Sequence, residues 1–290
     1  MNMVIDFLYK IMELVLPFDW MKYDFMKNAL IAVLLVTPVF AVIGTMVISK
    51  HMAFFSDVLG HSALTGIAIG MILGFKDPTL PMVVLAVFIA IAVTVFRAAT
   101  NAASDTVLGV FFAMVVALGI VLLSRGGGFS RYTAYLIGDI LSVTPAQILA
   151  LAVIFIAVVM YWIKLGNRLM LVSVNSSLAM SRGIGVLLIE ISFSAVVALV
   201  VILSIRLVGI LIINSLLILP AAAARNVSRS VRSYTIWAIA ISLLSGAAGL
   251  GASYRWGTAS GATIVLFAAA AYCLTAVFRV IRMRLNFLYK

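Results

Sequence analysis

Apolar runs close to twenty residues long recur down the whole chain, separated by short polar breaks. Each is long enough, as α-helix, to cross the ~30 Å of hydrocarbon in a bilayer. The pattern predicts spans at residues 28–49, 53–74, 80–96, 106–124, 145–165, 186–204, 207–223, 234–252 and 259–279. That makes nine crossings, or eight if the closely spaced pair around Arg206 is one broken element. The fold class is therefore an all-α polytopic membrane protein, with the membrane domain at 28–279.

The interruptions carry information of their own. Residues 1–27 place Asp6, Lys10 and Glu13 on one helical stripe with apolar residues elsewhere around the wheel, and Pro17 stops the pattern. An amphipathic helix lying in the interface fits this better than a secretory signal, which would begin with a basic cluster. Residues 125–144 are Gly-rich and half apolar, suited to a short helix or re-entrant piece on the non-cytoplasmic side. Residues 166–185 form the longest polar break inside the bundle. There Ser176 or Ser177 is the expected cap of a short helix through Leu178, Ala179 and Met180, with Gly183 ending it. Residues 280–290 read as a basic tail.

Composition agrees: 65% of the residues are apolar and 10% charged, against about 25% charged in soluble domains. The net charge of +11 does not point to nucleic acid, because the lysines and arginines sit at the ends of apolar runs as membrane anchors. With 167–185 taken as cytoplasmic, twelve of the twenty basic residues fall on that side, which predicts a cytoplasmic C-terminus. The single cysteine, Cys273, excludes an internal disulfide and a thiolate metal cluster.

Polar groups inside a bilayer need a partner or a task. Asp57 and His61 stand four apart in FFSDVLGHSALTG, so a helix stacks them on one face about 6 Å apart. A carboxylate oxygen with an imidazole nitrogen suits zinc, manganese or ferrous iron. Two ligands do not close a site, and a two-fold dimer with this helix on its axis would supply four. A hydrogen-bonded pair tying two helices together is the structural alternative. His51, beside Lys50, reads as an interface residue, and Asp105, Asp139 and Glu190 as solvated or capping residues near span ends. Asn214 and Pro220 put a buried polar group and a missing backbone donor on one span, as in a kinked helix beside a pathway. The chain has no GxxxxGK[ST] loop, no HExxH and no GxSxG elbow, so ATP hydrolysis and the common hydrolase chemistries are absent from it.

Five blocks in order carry a resemblance: KHMAFFSDVLGHSALTGIAIG, SDTVLGVFFAMVVALGIVLLS, YLIGDILSVTP, LVGILIINSLLILPAAAAR and SGATIVL. Together they resemble the permease family of ABC importers for zinc, manganese and iron, from about residue 28 to 278. The resemblance implies a fold like the vitamin B12 and metal-chelate (type II) importers, in a prokaryotic cell membrane. It implies as partners a cytoplasmic ABC ATPase dimer, an extracytoplasmic metal-binding protein, a second permease copy and membrane lipid. It implies no permanently bound cofactor, the cargo being a divalent Zn, Mn or Fe ion that contacts Asp57 and His61. It makes 173–185 the coupling helix that docks on the ATPase, with Ser176, Ser177, Leu178, Ala179, Arg182 and Gly183 as its contacts. The sequence departs from the family where Asn175, Ser176 and Ser177 replace acidic residues, and where Ala259 replaces a proline. Phe54–Phe55 look more like the zinc branch. Rival readings are an ion-coupled secondary transporter or channel, an importer of a metal chelate or vitamin, and an intramembrane enzyme. The first lacks paired mid-membrane carboxylates and visible inverted repeats here, and the last lacks a nucleophile–base pair.

Overall fold

The computed structural model describes Tyr9 and residues 19–100, 102–126 and 140–288. The expected amphipathic stripe through Asp6, Lys10, Glu13 and Pro17 lies outside these residues, as do Asp139 and the middle of the 125–144 segment. Every regular element described is helical. The α-helices are α1 Asp24–Ser49, α2 Phe55–Ile72, α3 Thr79–Thr100, α4 Ser104–Gly126, α5 Pro145–Val174, α6 Ser176–Ser181, α7 Val186–Val208, α8 Ile210–Val227, α9 Val231–Trp256 and α10 Ser260–Leu288. Short 3₁₀ turns stand at Asp19–Lys22 and Ile140–Ser142.

Eight of these helices are long and apolar enough to cross a membrane, and Ile212–Val227 is a shorter apolar helix. The break near Arg206 is real but falls at Gly209, whose φ of 90° is open to glycine and costly for a residue bearing Cβ. Two helices therefore stand where a single broken element was the alternative. The polar break predicted at 166–185 is shorter than expected, because α5 continues to Val174. Lys164 and Arg168 are carried within that helix, since long basic side chains can reach the interface from helical positions. The tail predicted at 280–290 is likewise helical as far as Leu288.

The chain divides into two compact units. One comprises residues 43–138 and 157–206. In it α2 packs against both α3 and α4. The contact depends on Gly66, because a Cβ there would stand 2.6 Å from Met82 Cα and 3.2 Å from Pro81 O. Both are backbone atoms, which cannot rotate away. Thr65 donates to the Val115 carbonyl at 2.8 Å and so ties α2 to α4.

The other unit comprises residues 1–42, 139–156 and 207–290. In it α8, α9 and α10 pack pairwise. Gly249 plays the corresponding role, since its added Cβ would meet Ile264 Cα at 2.5 Å. Ser242 donates to the Thr37 carbonyl at 3.1 Å, joining α9 to α1. Outward-facing positions are apolar in both units, among them Phe88, Leu244, Leu266 and Leu274. That surface suits hydrocarbon rather than water.

Gly66→Val is expected to push α2 off α3 and destabilise the protein by about 1–3 kcal/mol. A lowered midpoint of thermal unfolding in detergent checks this, and a wild-type midpoint would contradict the close packing.

Candidate functional site

Asp57 is the third residue of α2, where a negative charge lies favourably against the helix N-terminus. His61 follows one turn later on the same helix. Both are half-buried, whereas Ser56, Val58, Leu59, Gly60 and Ser62 around them are buried. The rings of His61 and Phe112 of α4 meet in a near-perpendicular contact, centroids 4.9 Å apart at 85°. A ring contact of this kind constrains the plane of the imidazole. Ser56 Oγ is buried with no hydrogen-bond partner among the described residues. No cluster of three or more His, Cys, Asp or Glu occurs among the described residues. The Asp57–His61 pair alone therefore offers too few donors for a closed tetrahedral site, and suits a transient contact.

The turn feeding α2 is tightly made. Met52 N–H donates to Val47 O at 3.0 Å and His51 N–H to Ile48 O at 3.2 Å, which closes α1. His51 occupies the left-handed position of this cap at φ 55°, a position usually given to glycine or asparagine. Its imidazole side is exposed.

Lys50, next to it, makes the contact that sequence reading missed. Its ammonium donates to Glu190 Oε1 at 3.0 Å, and Arg97 Nη2 donates to Glu190 Oε2 at the same distance. Glu190 is thus a two-cation bridge, not the solvated or capping residue expected. Side-chain exposure is 4% for Lys50, 15% for Arg97 and 18% for Glu190. Burial pulls the Lys50 ammonium below its usual range, against the opposing pull of the Glu190 carboxylate. The available signal was an acid five residues into an apolar run, with cations at the ends of two others.

The short helix α6 exists where expected, with its cap one residue earlier. Asn175 is extended (φ −153°, ψ 102°), and its Oδ1 accepts from Leu178 N at 2.9 Å. Ser176 and Ser177 are the first two helical residues and do not cap. The far end closes as foreseen: Gly183 has φ 73°, its N–H donates to Met180 O, and Ile184 N–H donates to Ala179 O. This double closure satisfies two of the helix's orphan carbonyls. Ala179 is buried, while Ser176, Ser177, Leu178, Met180, Arg182 and Gly183 are exposed, presenting a small mixed surface.

Asn214 and Pro220 both lie on α8, which runs on through the proline. Pro220 is buried and Asn214 half-buried.

Residues 22–279 match the ABC 3 transport family. The chain belongs to that family. Haemophilus influenzae ZnuB, a high-affinity zinc uptake system membrane protein, is 33% identical over 258 residues, covering 87% of this chain and 97% of the relative. Relatives named for manganese and for iron transport are similar to this ABC 3 chain as well. Among solved structures, PsaBC from Streptococcus pneumoniae in complex with Fab superposes with a TM-score of 0.75 at 27% identity, covering 88% of this chain and 91% of that one. The fold also matches an inward-facing metal-chelate type ABC transporter, with a TM-score of 0.65 at 14% identity over 86% of this chain and 85% of that one.

Asn175→Ala is expected to cost the α6 helix about 1 kcal/mol. Faster amide hydrogen exchange confined to 176–181 checks this; unchanged exchange would show that the cap does not hold the segment.

Proposed function

We propose that this chain is the transmembrane permease of an ATP-driven importer for a divalent transition metal, with zinc favoured over manganese or iron. The observation that carries the reading is the Asp57–His61 pair, one turn apart and half-buried on α2. A hard oxygen and a borderline nitrogen on one helix face match zinc, manganese or ferrous iron. Similarity to a zinc uptake relative and the Phe54–Phe55 pair support zinc within that group.

In this reading an extracytoplasmic metal-binding protein delivers the ion to a dimer of permeases, and each copy offers one Asp57 and one His61. Contact is weak by design, because a site that completed a tight tetrahedron would trap the ion. Asn214 and Pro220 belong to the pathway of the same permease. The chain has no nucleotide-binding loop, so hydrolysis comes from a separate cytoplasmic ATPase dimer. The 173–185 segment docks on that dimer through Ser176, Ser177, Leu178, Ala179, Arg182 and Gly183. The C-terminus is cytoplasmic, and the membrane is the cell membrane of a prokaryote.

The test is cellular metal content in a transporter-deficient host that produces the permease with its ATPase and binding protein. Wild type is expected to restore zinc, and His61→Ala to lower uptake by about tenfold or more, the effect of losing about 1.4 kcal/mol at a rate-limiting contact. Unchanged uptake in His61→Ala would move the metal path elsewhere. Failure of wild type to accumulate zinc, manganese or iron would remove the metal-ion reading.

A further inference from the structure

The Lys50–Glu190–Arg97 bridge joins three stretches of chain that are far apart in sequence and adjacent in one unit. Lys50 lies in the turn between α1 and α2, five residues before α2 begins and seven before Asp57. Glu190 is the fifth residue of α7. That helix starts three residues after Gly183, the residue that ends α6. Arg97 is in the last turn of α3. One carboxylate therefore holds the lead-in to the Asp57–His61 helix with one oxygen, and the end of α3 with the other.

We infer that Glu190 is a positioning residue for transport: it transmits movement of the α6–α7 segment to the start of α2, and so sets where Asp57 and His61 stand. The inference rests on the importer reading. Three features carry it. The link to Lys50 is short and nearly dry, so it resists stretching far more than a surface ion pair does. Lys50 Nζ also lies 5.8 Å from the Phe193 ring centroid, one turn beyond Glu190, so the same face of α7 grips it twice. The turn carrying Lys50 is held at both sides by backbone hydrogen bonds: Lys50 N–H to Met46 O at 2.9 Å, and Phe55 N–H to Met52 O at 3.0 Å. A pull on Lys50 therefore moves the α2 terminus instead of being absorbed by loose chain.

Lys50→Gln is the informative variant, because it cuts the link to α2 and leaves the Arg97–Glu190 pair intact. The complex of permease, ATPase and binding protein is reconstituted in vesicles, and zinc taken up and ATP hydrolysed are measured together. Lys50→Gln is expected to hydrolyse ATP while raising the ATP spent per zinc ion by about fivefold or more. Lys50→Arg, which restores the cation, is expected to bring the ratio back toward wild type. A wild-type ratio in Lys50→Gln overturns the inference. So does a Lys50→Gln complex that fails to assemble while Lys50→Arg assembles, since the pair would then serve only the fold. Wild-type vesicles that take up neither zinc, manganese nor iron would overturn the importer reading and this inference together. A wild-type complex that transports, with Lys50→Gln equally well coupled, removes this inference alone.

Discussion

Hydrocarbon offers a polar group no water, so every carbonyl, amide and charge within the bilayer has to find its partner in the protein. That constraint shapes this chain throughout. It makes every described regular element helical, because a helix satisfies its own backbone. It places the Thr65 and Ser242 hydroxyls on carbonyls of neighbouring helices. It also brings Glu190 against two cations at once, since a lone carboxylate there would be costly. Between helices the hydrophobic effect has little to drive, because lipid is as apolar as a side chain. Close approach takes over, and Gly66 and Gly249 each bring a neighbouring backbone within reach of dispersion contact.

Within this frame Asp57 and His61 stand out by what surrounds them. Small and buried residues line their helix, and Phe112 constrains the imidazole plane. Conduction needs an ion to be recognised and then let go, and in the proposed role a pair of donors per chain would serve both ends. The coordination number would rise only while a second copy or the delivering protein contributes. An Asp–His pair with purely structural work would instead be expected to lock two helices for good. Family membership and the relatives named for zinc, manganese and iron transport fit the permease reading proposed for the chain.

The helices were legible because hydrocarbon thickness writes itself into run length. Their ends were not, because Lys164, Arg168, Arg282 and Arg284 remain in helices that continue past the apolar stretch. Arg206 signalled an interruption by its charge, yet the backbone breaks at Gly209, where conformation and not polarity decides. Asn175, Ser176 and Ser177 are all competent caps, and sequence alone did not say which one takes the extended conformation. Gly183 was read correctly because a helix-ending glycine has a local cause. Glu190 was misread for the opposite reason: its partners lie 140 and 93 residues away, and no local pattern encodes such a pairing.

Energy source separates an ATP-driven permease from an ion-coupled carrier of the same helical character. The most direct measurement is zinc entry into vesicles holding the permease and its ATPase, with metal-loaded binding protein outside and no ion gradient. An ATP-driven permease is expected to accumulate zinc only when ATP is present on the ATPase side, and none with a non-hydrolysable analogue. Accumulation without ATP, driven by an imposed proton or sodium gradient, would contradict ATP-driven import.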